Sequence, residues 1–361
     1  MTLPHRFLAA FALLLTTAAR SVAQAPASEL TRLLERDLAT YPARAGVYVK
    51  NLRTGEEAMV NADQAFNSAS VIKLAVMVRA FQLADQGTLD LDARKEIRRA
   101  DIRPGSGVFQ FHTPGLQPTV HDLLLEMIIT SDNTATDMLV SLVGGVDSLN
   151  TWLKASGFTN TEVIGPGYRY RRRVLAAFHP MFANLTAEET TGLEYAETDN
   201  PLFAQYASLF VGERAAWVAM MRDPDARKRL RALRNEITIA DRAYWLGAMT
   251  PRETGRLLEG IERGTLASAS SSERMKVLLL RQQLGARRIP HFLSVPVGHK
   301  TGDSQVIAND VGLVYTPKGT LVLSFFTNGV TGPMGEAEDR IGRTARAIVD
   351  YFDRAVSPPS R

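Results

Sequence analysis

Ser70 and Lys73, in FNSASVIKLA (66–75), stand three residues apart where an apolar helix begins. Positions i and i+3 share a helix face, so the spacing sets a lysine amine one turn from a serine hydroxyl. A hydroxyl is a poor nucleophile until a base takes its proton. A neutral amine can do that without a histidine, provided its pKa falls from about 10.4 toward roughly 7–8. That shift costs about 4 kcal/mol and is supplied by desolvation and a neighbouring cation. The same helix start offers backbone N–H groups to a developing oxyanion. A capping serine and a surface lysine would leave the same letters, so the pair needs support from elsewhere in the chain.

Two other stretches supply complementary chemistry. In MIITSDNTATDML (127–139), Ser131-Asp132-Asn133 interrupts two apolar helical runs, which presents polar side chains at a break between packed helices. A serine there can pass a proton to a leaving nitrogen, and an asparagine can hydrogen-bond a substrate amide and a lysine; all three types also favour helix caps. In VPVGHKTGDSQ (295–305), Lys300-Thr301-Gly302 follows a short strand. Lys300 offers a cation to a substrate carboxylate and lowers the pKa of a nearby ammonium, and Thr301 can bond the same carboxylate. Gly302 lets a substrate lie against the strand. An edge strand with a charged gatekeeper and a turn glycine is the structural alternative. The chance of Ser-x-x-Lys, Ser-x-Asn and Lys-Thr-Gly falling in that order, each at an element boundary, is small.

These residues need a scaffold that brings distant segments together. Leucines at 30, 33, 34 and 38 have helical spacing over 28–39, and 45–63 alternates about the turn Arg53-Thr54-Gly55-Glu56, which reads as a hairpin. Helical signals follow over 70–86, over 120–130 after Thr119 with Asp122 three residues on, and over 134–143 and 146–155. Thr250-Pro251-Arg252-Glu253 reads as a cap, a first-turn proline and a closing glutamate; Ser270 with Glu273 repeats the device to about 284. Strands over 295–300, 306–316 and 321–328 precede a helix over roughly 336–354. Strands at both ends with helices between imply an α+β fold: an antiparallel sheet built from both termini, flanked by helices, plus an all-helical part. Between Gly157 and Thr250, the basic runs GYRYRRR (167–173) and DARKRLRALR (225–234), with helix starts at Asn200-Pro201 and Asp223-Pro224, mark a helical insertion at about 165–245 within one catalytic domain spanning 26–361. Its charge is read chiefly as a solvated helix face.

Composition narrows the function. The chain has 361 residues, 45% hydrophobic and 22% charged, with a formal charge of +4 and pI about 9.3. That is enough for a sizeable core, and the small excess charge does not suggest nucleic acid. Residues 1–25 have a basic start, an apolar run and small residues before Ala23 and Ala25, the pattern of an export signal; a secreted or periplasmic protein without a further membrane span is expected. There is no cysteine, which excludes disulfides and thiolate chemistry, and the six histidines show no ligand pairing, so neither metal nor cofactor is expected.

Taken jointly, the motifs resemble those of the penicillin-recognising serine hydrolases, in particular the class A β-lactamases, a set that general sequence rules already connect with this chemistry. SDNTATDMLVSLVGG, TPRETGRLLEGI, HKTGD and NDVGLVY all look like that family. The resemblance implies a two-part fold with the site where the helical part meets the sheet. It implies Ser70 as acylated nucleophile, Lys73 as its proton acceptor and Ser131 as relay to the β-lactam nitrogen. Asn133 would hold the side-chain amide, with Lys300 and Thr301 on the carboxylate. The N–H groups of Ser70 and of Asp303, the residue after Gly302, would form the oxyanion hole, and Asp132 would be structural. A small-molecule β-lactam or a peptidoglycan-like peptide would be the substrate of a monomeric enzyme.

One part of the pattern is missing. Class A enzymes carry a glutamate about ten residues after the GF-like turn, followed by Leu-Asn, to activate the deacylating water. Here GFTNTEVIGPGYRYRR places Gly167 near that point, and no Glu-x-x-Leu-Asn occurs. Glu162 comes too early; Glu188, Glu189, Glu194 and Glu197 are candidates, and Glu189 also fits a capping box with Thr186. Acylation does not need that base, whereas fast deacylation does. A D-Ala-D-Ala peptidase or penicillin-binding hydrolase with slow deacylation, and a non-catalytic β-lactam sensor, are therefore the alternatives to a β-lactamase.

Overall fold

The computed structural model describes residues 28–165 and 167–355; the export-signal expectation lies outside them. The fold is α+β. Strands β1 (Arg44–Asn51) and β2 (Glu57–Val60) form the N-terminal hairpin. Short strands β3 (Phe66–Asn67), β4 (Glu162–Val163) and β5 (Gly247–Met249) make a small sheet in the order β3-β5-β4. The C-terminal strands β6 (Val297–Ser304), β7 (Ile307–Thr316) and β8 (Gly319–Asn328) complete the main antiparallel sheet, ordered β2-β1-β8-β7-β6. Strand β1 pairs with β8 from Arg44↔Asn328 to Asn51↔Leu321, so the two ends of the chain meet at the sheet centre.

Side-chain alternation sends successive residues to opposite faces, and each face carries helices. Val47, Val49, Leu321 and Leu323 face helices α1 (Glu29–Ala39) and α12 (Met334–Ala355), where Leu30, Leu34, Ile341, Ile348 and Phe352 are buried. Ser28 caps α1 by accepting the Thr31 N–H at 3.1 Å. Tyr48, Val311, Leu313, Val322 and Phe326 face the larger core. That core is formed with α2 (Lys73–Asp85), α3 (Val120–Ile129), α4 (Asn133–Leu142), α5 (Gly145–Ala155), and two helices from the second half of the chain, α10 (Pro251–Glu262) and α11 (Ala269–Leu280). The capping box of Thr119 and Asp122 at the start of α3 forms as expected.

Residues 167–240 form a third packed unit. It contains α6 (Gly167–Phe178), α7 (Ala187–Glu197), α8 (Ala215–Arg222) and α9 (Pro224–Ala240), around a cluster that includes Leu175, Phe182, Leu193, Tyr195, Tyr206 and Met221. Helices α10 and α11 then return the chain to the sheet. No helix among the described residues is long and apolar enough to cross a membrane.

Several boundaries differ from the sequence expectation, each for a visible reason. The helix expected from residue 70 begins as a 3-10 turn over Ala69–Ile72, and the α-helix starts at Lys73. Asn200-Pro201 opens another 3-10 turn, not an α-helix. Glu253 does not close a box with Thr250: its carboxylate accepts from the Asn160 N–H, Asn160 Nδ2 and Thr161 Oγ1 at 2.8–3.1 Å, pinning the loop after α5. The cap of α11 is Ser268, because Asp85 clamps the Ser268 N–H and hydroxyl at 2.7 Å and the Ser271 hydroxyl at 2.6 Å. Lys300-Thr301-Gly302 lies inside β6, which continues to Ser304.

Candidate active site

The Ser70 turn is held to the main sheet by asparagines. Asn67 donates its N–H to Asn328 Oδ1 at 2.7 Å, and its own Oδ1 accepts the Ala69 N–H at 3.0 Å. Asn309, on β7, donates Nδ2 to the carbonyls of Asn67 and Ser68 at 2.9 and 3.1 Å. Ala69 is thereby held at φ 43°, a left-handed value that L residues seldom adopt and that costs of order 1–3 kcal/mol. Gly302 permits the close approach of this turn to β6: a Cβ there would lie 2.4 Å from the Ser68 carbonyl oxygen.

Ser131 is also left-handed, at φ 58°. Its neighbour Asp132 fixes the break between α3 and α4, accepting the Ala135 N–H and the Phe109 N–H, both at 2.8 Å. Burial pushes the Asp132 carboxyl pKa upward, against these hydrogen bonds and the charge of Lys73. The strained turn aims both polar groups of Ser131 at Lys73: Nζ donates to its carbonyl at 2.6 Å and its Oγ at 3.1 Å, and to Asn133 Oδ1 at 3.1 Å. Lys300 reaches the same Ser131 Oγ from β6 at 3.0 Å and donates to the Thr301 carbonyl at 2.9 Å.

Two lysine side-chain nitrogens thus converge on one hydroxyl, away from water. Lys73 is 2% exposed and Lys300 fully buried. Desolvation, and then the charge of Lys300, hold the Lys73 pKa well below the ordinary lysine value. Desolvation likewise brings Lys300 down to about 8, against the opposing pull of Asp303 and Asp310. A lysine in this setting can be neutral near pH 7 and accept a proton.

Ser70, Asn133 and Asp303 line one cavity of about 180 Å³, together with Tyr170 and Arg171 of α6. Ser70 Oγ makes no hydrogen bond among the described residues; catalytic contacts in unliganded sites commonly tighten only around substrate. Lys73 lies one turn on. Thr301 is buried behind the cluster, and its Oγ1 has no partner among the described residues. The Asp303 carboxylate is paired with Arg288, which also bonds Glu338 at 2.8 Å and the Asn309 carbonyl at 2.8 Å. Among the described residues no cluster of three or more metal-ligating side chains occurs.

Near the point where the missing glutamate would lie, Gly167 opens α6 and donates its N–H to Asp137 Oδ1 at 2.7 Å. Arg103 holds the other Asp137 oxygen at 2.6 Å. The candidate glutamates are all engaged: Glu162 with Arg242, Glu188 with Arg99, Glu189 with Arg214 and the Thr186 box, Glu194 with Arg171, Glu197 with Arg234. The sequence reading missed Asn67, Asn309, Asp137 and Arg171. Asp137 had a usable signal, standing four residues after Asn133 on one helix face. Asn67 and Asn309 stand in stretches already singled out, FNSASVIKLA and NDVGLVY, but their partners are distant in sequence, so no local spacing assigns them a role.

An antiparallel sheet joined from both chain ends, a helical lobe, and a Lys73-Ser131-Lys300 cluster beside the Ser70 turn at their junction are the features of the penicillin-recognising serine hydrolase class. The chain belongs to the beta-lactamase enzyme family, whose model matches residues 25–352. It is similar to β-lactamase VEB-1 of Pseudomonas aeruginosa, 29% identical over 141 residues, covering 38% of this chain and 47% of that protein. It is also similar to β-lactamase PSE-4 of the same organism, 30% identical over 162 residues, covering 44% and 54%. The chain thus spans about half the length of the curated relatives it matches. Among solved structures, a β-lactamase from Sphaerobacter thermophilus matches with TM-score 0.64 at 24% identity, over 91% of this chain and 98% of that one. PBP-A matches with TM-score 0.65 at 22% identity, over 91% and 97%. At these identities the structures establish the fold.

Proposed function

We propose that this protein is an exported serine β-lactamase that opens the β-lactam amide through an acyl-enzyme on Ser70. The observation that carries the reading is the Ser131 hydroxyl held at 3.1 and 3.0 Å by two buried lysines beside the Ser70 turn. Neutral Lys73 takes the Ser70 hydroxyl proton as Oγ bonds to the lactam carbonyl carbon. The resulting oxyanion is received by the N–H groups of Ser70 and Asp303. As the C–N bond breaks, Ser131 gives its proton to the leaving nitrogen and recovers one from the Lys73 ammonium. Asn133 bonds the side-chain amide; Lys300, aided by Thr301, attracts the substrate carboxylate. Water then hydrolyses the ester. The catalytic unit is residues 26–361, acting outside the cytoplasm after removal of residues 1–25.

One observation favours a second reading. Asp303 is the only carboxylate among the described residues lining the Ser70 cavity, and Arg288 holds it. A D-Ala-D-Ala peptidase or penicillin-binding hydrolase, acylated by β-lactams and slow to release them, fits that lining. Hydrolysis of a chromogenic cephalosporin, with intact-mass detection of adduct, tests both. Turnover supports the β-lactamase; a persistent adduct supports the slow hydrolase. Neither signal from folded protein would remove β-lactams as substrates. Ser70→Ala is expected to abolish both signals, and turnover at the wild-type rate in that variant would overturn Ser70 as nucleophile.

A further inference from the structure

A second cavity, of about 340 Å³, continues from the Ser70 cavity and shares Gly105, Tyr170, Arg171 and Ser304 with it. Residues 167–240 build most of its wall. Val174 and Leu175 give it an apolar side. Two ion pairs complete it, Arg171 with Glu194 and Arg234 with Glu197. None of these four side chains is fully exposed; their exposures run from 10 to 30%.

Each pair is joined through one guanidinium nitrogen and one carboxylate oxygen: Arg171 Nη1 to Glu194 Oε2, and Arg234 Nη2 to Glu197 Oε2 at 2.7 Å. A guanidinium carries five N–H donors and a carboxylate two acceptor oxygens. Among the described residues, the other oxygen of each glutamate and the remaining N–H groups of each arginine side chain make no hydrogen bond. The cavity therefore presents unused donors and acceptors side by side, with a net charge of zero. A ligand with a single charge is attracted by one member of a pair and repelled by the other. A group with an ammonium and a carboxylate on one carbon satisfies both, with charge-assisted bonds in a partly desolvated site. Val174 and Leu175, in the same cavity as the pairs, give a run of methylenes an apolar wall.

Resting on the acyl-enzyme reading of Ser70, we propose that this cavity is a subsite for a linear aliphatic acyl side chain that ends in an α-amino acid. Such an end could belong to a β-lactam or to a peptide, and the chemistry of recognition is the same.

The test uses three penicillins sharing one nucleus: a phenylacetyl side chain, an adipyl side chain with only the terminal carboxylate, and a D-α-aminoadipyl side chain with the zwitterion. Second-order acylation rates are read by intact mass. Wild-type protein is expected to react at least about tenfold faster with the aminoadipyl than with the adipyl compound, as expected for one added charge-assisted contact. Arg234→Met is expected to remove about tenfold of the aminoadipyl rate and leave the phenylacetyl rate unchanged. Glu197→Gln, which preserves shape, is expected to slow aminoadipyl more than adipyl, and it keeps the test intact should Arg234→Met fail to fold. Equal wild-type rates for the two aliphatic compounds would overturn the proposal, as would variants that slow all three alike. Reaction with phenylacetyl alone would overturn the subsite and keep Ser70 acylation; reaction with none would remove both. A parallel pair of peptides ending in D-Ala-D-Ala, one with a zwitterionic side-chain end and one with a lysine, identifies the source. A peptide preference for the zwitterion supports the subsite in cell-wall chemistry, and a preference confined to the penicillins supports it for β-lactams.

Discussion

Replacing Lys300 with methionine isolates the charge that tunes Lys73. Both ammonium nitrogens lie within 3.1 Å of Ser131 Oγ, so they are no more than about 6 Å apart. At an effective dielectric of about 20, two like charges at about 6 Å repel by roughly 3 kcal/mol, or about two pKa units. Lys300 has a pKa of about 8, so it is mostly charged at pH 7 and holds Lys73 down. Methionine fills similar space and keeps the desolvation while removing the repulsion. The acid limb of acylation should therefore move alkaline by up to about two units, and the rate at pH 7 should fall up to about 100-fold and recover as pH rises. Loss of the cation that attracts the substrate carboxylate would add a separate, pH-independent weakening of binding. Stopped-flow acylation by a chromogenic cephalosporin from pH 5 to 10 separates the two. A uniform loss with an unmoved acid limb would refute electrostatic tuning of Lys73 by Lys300.

Gly302→Ala should cut acylation severely while leaving a folded protein, because its Cβ meets the Ser68 carbonyl at 2.4 Å and must push the Ser70 turn off β6; normal acylation in a folded variant would contradict that packing. Arg103→Ala leaves the buried Asp137 carboxylate without its cation, and a loss of about 3–5 kcal/mol is expected by thermal or denaturant unfolding. Phe182→Ala should cost about 3–5 kcal/mol within residues 167–240, and amide exchange should show those helices opening before the main sheet. Stability should also respond to Lys300: its folded pKa, about 8, is below its ordinary value, so the folded state binds fewer protons and Lys300 costs stability once pH falls through the window from 10.5 to 8. Denaturation of Lys300→Met and wild type should show the variant's advantage full below pH 8 and fading toward pH 10.5.

Elements whose causes are local were legible in the sequence. The Thr119 cap, the 53–56 turn and the amphipathic spacing of α1 each depend on residues a few positions apart. The errors arose where a distant side chain won. Asp85 moved the start of α11 to Ser268, and the 160–161 loop took the Glu253 carboxylate from its expected cap. The convergence of Lys73, Ser131, Asn133 and Lys300 was expected from three motifs taken jointly and from the family they resemble, since no local spacing brings these segments together. The contacts that hold Ser70 in place were not. Asn67, Asn309 and Asn328 are unremarkable in sequence, and only the closing of β7 and β8 beside the nucleophile turn gives them partners.

The missing glutamate and the second cavity trace to one event, the start of a helix at Gly167. Asp137 accepts the Gly167 N–H, which commits the backbone to a helix where the family pattern has a loop and leaves no side chain at that position. Helical spacing then sets the direction of the next two turns. Residues 167, 170–171 and 174–175 recur at i, i+3/i+4 and i+7/i+8 and form one face. The first three line the Ser70 cavity, and the last four line its extension. The face that stands where the family pattern has its water-activating loop therefore lines both cavities. On the proposed subsite, this face supplies the binding energy for the acyl side chain. Selectivity among side chains should accordingly be the property most sensitive to substitutions in α6 and α9, and acylation of a compact phenylacetyl penicillin the least.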